Sequence, residues 1–148
     1  MLVISNASPL VALSRIYRLD LFQQMFGAML IPSSVKDEVV LHCPTVEEKI
    51  HLEWALETFI RTQEPRRHQR FSRHIGAGER GVLNLALEMP PDILLLDDRK
   101  ARNEARELGF FPTFTSDVLK EAEFRGLLPS YQAMIRALYA QKIYLPES

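Results

Sequence analysis

Short apolar runs alternate along this chain with longer segments in which apolar residues recur at helical spacing. The clearest run is Ile93 to Leu96, which is unbroken and ends in two adjacent carboxylates, Asp97 and Asp98. Such a run predicts a strand that is buried on both faces. Further strands are predicted at Leu2 to Ser5, Met29 to Ile31 and Pro112 to Thr115, with a weaker one at Phe59 to Thr62.

Helices are predicted where the apolar period changes to that of an amphipathic helix. Ser8 is the expected N-cap of the first one, with Pro9 as its first helical residue, and Ser34 to Asp37 resemble a capping box. The arginine-rich stretch Arg66 to His74 predicts an exposed loop or a short helix. The first predicted helix ends near Tyr17. The others span 19–26, 34–41, 44–60, 78–89, 99–108, 117–125 and 130–142.

This alternation predicts an α/β fold in which helices cover both faces of a parallel sheet. A length of 148 residues, with 47% hydrophobic and 25% charged residues, favours one domain spanning 1–148. The net charge of -1 neither supports nor excludes a nucleic-acid partner. A single cysteine, Cys43, and the absence of a signal-like or membrane-length apolar run favour a cytoplasmic protein without a membrane role.

Two carboxylates fall among apolar residues on their predicted helices. Glu38 lies within the arc of Val35 and Val39, and Glu79 is flanked by Val82 and other apolar residues. Glu38 could instead be a boundary residue whose carboxylate reaches solvent, and Glu79 could simply complement the dipole at a helix start. The pattern alone leaves both interpretations open.

Polar side chains also follow three of the predicted strands. Because the carboxyl ends of parallel strands share one edge of a sheet, these residues should lie close together. The pairs after the second and third of these strands, Asp97 with Asp98 and Ser116 with Asp117, could equally supply a helix N-cap and a first-turn acid. Several carboxylates at one edge indicate a hard cation such as Mg²⁺ or Mn²⁺ and phosphate chemistry, whereas the histidines lack a spacing with Cys43 that would suit zinc. The residues are Asn6 and Ser8, Asp97 and Asp98, and Ser116 and Asp117.

Four short motifs, in this order and spacing, resemble the PIN-domain nucleases and, within them, the branch close to the VapC-type toxins. The resemblance covers most of the chain and implies a three-layer α/β/α fold with a parallel, PIN-like sheet. The motifs are the segments from Val3 to Leu10, from Ile31 to Val39, from Gly76 to Arg80 and from Leu94 to Arg102.

The resemblance implies a Mg²⁺- or Mn²⁺-dependent ribonuclease that uses about four acidic residues. The first acidic position of the family pattern falls on Asn6, whose amide oxygen can coordinate a metal but brings no charge. The other acidic positions fall on Glu38, on Glu79 and on Asp97 or Asp98. Ser8 matches the family's small hydroxyl residue, and Ser116 or Asp117 is expected to add an outer contact.

The same resemblance implies an RNA substrate, a small antitoxin partner and a homodimer. Candidate contacts with the RNA backbone are Arg66, Arg67, Arg70 and Arg73, although this stretch could also be a solvated loop or an antitoxin-facing surface. Exposed apolar residues would support a partner surface, and the candidates are Leu19, Phe22, Met25, Trp54 and Phe59.

Two other functions fit the sequence. One is a PIN-like module that binds RNA or a protein without cutting, which would follow if Asn6 weakens the metal site. The other is a phosphatase or another phosphoryl-transfer enzyme. This second alternative is disfavoured because the chain lacks a long glycine-rich loop that could hold phosphate.

Overall fold

A computed structural model describes residues 1–147 of the chain, and within them a parallel sheet forms the centre of the fold. Its four strands lie in the order β3-β2-β1-β4, and every neighbouring pair is parallel. Ile4 of β1 stands opposite both Leu30 of β2 and Leu94 of β4. The strands are β1 (Val3–Ser5), β2 (Met29–Ile31), β3 (Ile60–Thr62) and β4 (Ile93–Leu95).

Helices connect and flank the strands, which confirms the predicted α/β class with a parallel sheet. Ile4 of β1 and Leu95 of β4 are fully buried, whereas Arg61 and Thr62 of the edge strand β3 are exposed. The helices are α1 (Ala7–Arg15), α2 (Asp20–Phe26), α3 (Ser33–Leu41), α4 (Val46–Thr58), α5 (Ala77–Glu88), α6 (Arg99–Glu107), α7 (Thr115–Phe124) and α8 (Tyr131–Ala140).

The strand predicted at Pro112 to Thr115 does not form. Only Thr113 pairs with the sheet, in an isolated parallel bridge to Leu95, and Thr115 is already the first residue of α7. Pro112 has no backbone N–H to offer a sheet ladder. In addition, the carboxylate of Asp97 accepts the backbone N–H of Thr115, which favours a helix start at this point. Ser116 and Asp117 therefore lie in the first turn of α7 and do not follow a strand.

Two predicted helix caps are also wrong. Asn6, and not Ser8, is the N-cap of α1, because its side-chain oxygen accepts the backbone N–H of Ala7. The capping box expected at Ser34 is absent: α3 begins after Pro32, and its first backbone N–H, that of Ser33, donates to Glu64 over 2.8 Å. A carboxylate from a distant loop thus replaces the local cap.

The arginine-rich stretch lies in a loop between β3 and α5, which confirms the loop and not the short helix among the two predicted alternatives. This segment, residues 63–76, is here called the arginine loop. Three side chains of the surrounding helices accept its backbone N–H groups, and its own Glu64 carboxylate accepts the N–H of Ser33. Apart from the Glu64 contact with Ser33, Arg67 N–H donates to Glu88 over 2.8 Å, Gln69 N–H to Asn84 over 3.1 Å and Ser72 N–H to Glu104 over 2.6 Å.

Most of the apolar residues considered for a partner surface belong to the core. Leu19, Phe22 and Phe59 are at most 2% exposed, and Met25 is half-buried. Trp54 is 39% exposed, with its ring edge-on to Phe59. None of the helices in residues 1–147 has both the length and the hydrophobicity needed to cross a membrane.

Candidate active site

A cleft of about 420 Å³ opens at the carboxyl edge of the sheet. The start of α1, which follows β1, and the residues that follow β4 both contribute to it, as expected for an open parallel sheet. Four of the predicted acidic side chains line the cleft together: Glu38, Glu79, Asp97 and Asp98. Carboxylates from three separate stretches of the chain therefore meet in one place.

Glu38 and Glu79 come together because α3 and α5 pack closely at Gly78. A Cβ added at Gly78 would lie 3.5 Å from Glu38 Oε2 and 3.9 Å from Asn6 Oδ1. Glu79 Oε2 folds back over the helix start, 2.6 Å from where a Cβ of Gly76 would be. Burial and the neighbouring Glu79 carboxylate raise the pKa of Glu38, and His42 opposes that rise.

Asp97 and Asp98 have separate structural duties. Asp97 accepts the backbone N–H of Thr115 over 2.9 Å and the Thr115 hydroxyl over 2.7 Å, so it ties the end of β4 to α7. Burial raises the pKa of Asp97, although these two hydrogen bonds oppose the rise. Asp98 is exposed and caps α6 by accepting Ala101 N–H over 2.9 Å. The N-cap interpretation is therefore confirmed for Asp98, whereas Asp97 is not a first-turn acid of α6, and both carboxylates line the cleft.

Asn6 lies behind the cleft wall and is only 1% exposed. Its side-chain oxygen is used in capping α1, while its Nδ2 group has no hydrogen-bond partner among residues 1–147. A buried donor without a partner is unusual in a folded protein. The amide therefore has unused hydrogen-bonding capacity behind the cleft.

The donor set of the cleft fits a hard divalent cation. Carboxylate oxygens predominate, and the repulsion that raises the pKa of Glu38 would be relieved by a positive charge. Within residues 1–147 no three acidic, histidine or cysteine side chains are close enough to bind one ion directly. This arrangement fits Mg²⁺ or Mn²⁺ held by one or two carboxylates with the remaining ligands supplied by water.

The other predicted residues are distributed differently. Ser8 is exposed and lines the cleft from the first turn of α1. Ser116 is fully buried, and Asp117 accepts the backbone N–H of Phe114 over 3.3 Å, so neither lines the cleft. The arginines of the loop line other grooves: Arg66, Arg67 and Arg70 are exposed, whereas Arg73 is ion-paired with Glu104 and Glu107.

Three features at the cleft were not predicted. His42 lines it one helical turn after Glu38, a spacing that could have indicated a shared face. Buried Arg102 donates to Leu96 O over 2.8 Å and stacks on Phe114 at 3.4 Å, supporting the strand end that carries Asp97. The segment Ile143 to Pro146, here called the C-terminal wall, also lines the cleft, and nothing in its local sequence indicates this.

Comparisons with known proteins agree with this architecture. The fold is similar to that of a PilT N-terminus domain protein from the hyperthermophilic archaeon Sulfolobus solfataricus, with a TM-score of 0.58 and 14% sequence identity. The similarity covers 82% of this chain and 93% of the archaeal one. No curated protein matches the sequence significantly. Residues 2–148 match the family model DUF3368, described as a PIN domain, and the chain therefore belongs to the PIN-domain family.

Proposed function

We propose that this protein is a divalent-metal-dependent endoribonuclease. PIN domains are generally nucleases and generally use divalent metal ions. The observation that supports a metal-dependent activity for this chain is that four carboxylates lie in one cleft: Glu38, Glu79, Asp97 and Asp98. A cleft of this charge repels a phosphodiester unless a cation lies between them.

The cleft residues have distinct parts in this proposal. One or two carboxylates of the set Glu38, Glu79 and Asp97 or Asp98 would hold Mg²⁺ or Mn²⁺ directly and the others through water, and the bound ion would supply positive charge to the scissile phosphate and to the attacking water. Asp97 keeps its orientation through Thr115 and adds negative charge at the same edge. Asn6 caps α1 behind the wall and adds no charge to the site.

RNA backbone contacts would come from the arginine loop. Arg66, Arg67 and Arg70 are exposed and, within residues 1–147, make no ion pair with a carboxylate. Arg73 is the weakest candidate because both of its terminal nitrogens are already engaged by Glu104 and Glu107. Replacing one free arginine should flatten the salt dependence of RNA binding by about one unit of slope.

The experiment is cleavage of a labelled RNA pool in Mn²⁺, with a DNA pool of the same sequences alongside. Wild type is compared with Glu79→Gln, Asn6→Asp and the double variant Asp97→Ala/Asp98→Ala. Glu79→Gln is the sharper test because it leaves the caps of α6 and α7 intact. The control is Asp37→Ala, an exposed neighbour of Glu38 that does not line the cleft.

The proposal expects RNA cleavage by wild type and Asp37→Ala and none by Glu79→Gln or the double variant. Cleavage only by Asn6→Asp would mean that the natural protein has kept the site and lost its chemistry. Equal cleavage by wild type and Glu79→Gln would exclude this cleft as the active site.

A binding module that does not cut is the second candidate. It is favoured by the neutral Asn6 at the first acidic position and by the lack of three directly converging ligands in residues 1–147. This function expects RNA binding that is unaffected by Mn²⁺ and by Glu79→Gln, with no cleavage by wild type or by Asn6→Asp.

The toxin role, its antitoxin and the homodimer stay predictions. They expect growth arrest when the chain is expressed alone, relieved by a small protein encoded beside it, and a molecular mass of two chains in solution. Expression without a growth defect, and purification from the native host as a lone monomer, would contradict all three.

A further inference from the structure

The C-terminal wall is fixed in place, although it follows the last helix of the fold. Ile143 N–H donates to Leu138 O over 3.0 Å, which closes the end of α8. The buried hydroxyl of Ser116 donates to Pro146 O over 2.9 Å, and Tyr131 donates its hydroxyl to the Glu147 carboxylate. Two elements of the fold therefore hold the segment against the cleft.

Within this wall, Tyr144 lines the carboxylate cleft and yet remains 63% exposed. Its ring packs edge-to-face against Tyr139, with 4.7 Å between the ring centroids and 80° between the planes. A ring braced in this way has a defined orientation but a large uncovered surface. An aromatic side chain kept open beside a charged cleft is available for contact with a ligand.

The chemistry of the two sides of the cleft differs. The acidic side carries the four carboxylates, whereas the wall is uncharged and consists of an isoleucine, a tyrosine, a leucine and a proline. A ligand that fits both sides has an anionic group, brought in through a cation, next to a flat apolar group. A nucleotide within a single strand combines these properties, because its phosphate and its base are neighbours.

We propose that Tyr144 stacks on an unpaired base of the nucleic acid whose phosphate occupies the carboxylate cleft. The proposal rests on the proposed nuclease function and makes it more specific. A base in a duplex has no free face, so the stacking contact selects single-stranded segments, loops and bulges. The contact tolerates any base, because every base offers a π-face.

The test compares Tyr144→Ala, Tyr144→Phe and the control Phe124→Ala. Phe124 is an aromatic residue that is 86% exposed and does not line the cleft. Cleavage of a single-stranded RNA in Mn²⁺ gives kcat and KM. Binding of the same RNA in Ca²⁺, with 2-aminopurine at successive positions, reports stacking as fluorescence quenching, and an abasic nucleotide at the quenched position removes the stacked base.

Tyr144→Ala should raise KM roughly 5- to 150-fold, the range for loss of one stacked base, while Tyr144→Phe and Phe124→Ala stay near wild type. Quenching at one position should disappear in Tyr144→Ala. Wild type should bind the abasic RNA as weakly as Tyr144→Ala binds the intact RNA. Tyr144→Ala should bind the intact and the abasic RNA with equal affinity.

Two results would overturn the stacking contact: unchanged KM and quenching in Tyr144→Ala, or faster cleavage by that variant, which would mean that the wall obstructs the cleft. In both cases an active wild type leaves the nuclease function standing. Tyr144-dependent quenching in a wild type that never cuts would instead support stacking and overturn the nuclease function.

Discussion

Thr115 donates both its backbone N–H and its hydroxyl to the two carboxylate oxygens of Asp97, over 2.9 and 2.7 Å. The pair joins the second residue after β4 to the first residue of α7 across 18 positions of sequence. Because Thr115 is fully buried, water cannot replace its hydroxyl if it is removed.

Thr115→Val removes the hydroxyl donor and nearly preserves the side-chain shape. We expect a loss of about 1.5–3 kcal/mol in the free energy of unfolding at neutral pH, the range for a hydrogen bond to a charged group. The pKa of Asp97 should rise further, since one of the bonds that oppose its rise is lost. Urea denaturation between pH 4 and 8 measures both effects, with the exposed Thr62→Val as control. Equal stability of the two variants would show that the hydroxyl bond contributes nothing.

Glu38→Gln should stabilise the apo protein at pH 7.5. Because burial and the Glu79 carboxylate raise the pKa of Glu38 in the folded state, its charge opposes folding. This penalty is absent below the ordinary pKa of 4.5, grows as the pH rises and is complete above the raised pKa. The gain in Tm over wild type should therefore shrink as the pH falls towards 4. Thermal unfolding without divalent ions checks this, and Glu53→Gln on the exposed face of α4 is the control. A gain that is independent of pH would contradict the electrostatic cause.

Asn6→Asp should destabilise the apo protein and strengthen its response to metal. A carboxylate at this 1% exposed position adds buried negative charge next to Glu38, which only a cation can offset. The capping bond to Ala7 can be kept, since either side chain offers an oxygen. We expect a lower Tm in chelator and a larger rise in Tm on addition of Mn²⁺ than for wild type. An identical Mn²⁺ response would place Asn6 outside the metal site.

Gly78→Ala and Gly81→Ala form a matched pair on α5. At Gly78 the new methyl meets its neighbours at ordinary contact distances of 3.5 Å and more, so helix propensity should make this variant as stable as wild type or up to about 1 kcal/mol more stable. The methyl occupies space between Glu38 and Asn6, so the Mn²⁺-induced rise in Tm and the cleavage should both fall.

Gly81→Ala should have the opposite effects: it should lower the stability and leave the Mn²⁺ response unchanged. Its methyl would approach Ser34 Oγ to 2.7 Å and Pro32 Cγ to 3.0 Å, and we expect a loss of about 1–3 kcal/mol from overpacking. The fraction that remains folded should keep its Mn²⁺ response. Similar unfolding free energies for the two variants would contradict the packing described between α3 and α5.

The sequence was most informative where a local pattern decides the structure. The unbroken run before Asp97 could only be a buried element, and the helical position of Glu38 among valines determines the direction of its side chain. The pattern does not decide between two residues that could both be the N-cap of one helix. Asn6 and Ser8 are both favourable N-cap residues, and only the structure shows that Asn6 caps α1.

Two contacts between distant parts of the chain could not be predicted. Thr115 begins a helix and not a strand because a carboxylate 18 residues earlier accepts its N–H. The C-terminal wall reaches the cleft because Ser116 holds Pro146 from 30 residues away. Neither contact leaves a signal in the spacing or composition of nearby residues.

The anchored backbone of the arginine loop has a consequence for the thermodynamics of binding. A loop without helix or strand normally loses conformational entropy when a ligand orders it. Here Glu88, Asn84 and Glu104 accept backbone N–H groups of the loop, and the side chain of Glu64 in the loop itself accepts an N–H of α3. Much of that entropy is lost when the protein folds, so a polyanion that meets Arg66, Arg67 and Arg70 has mainly their side chains left to order.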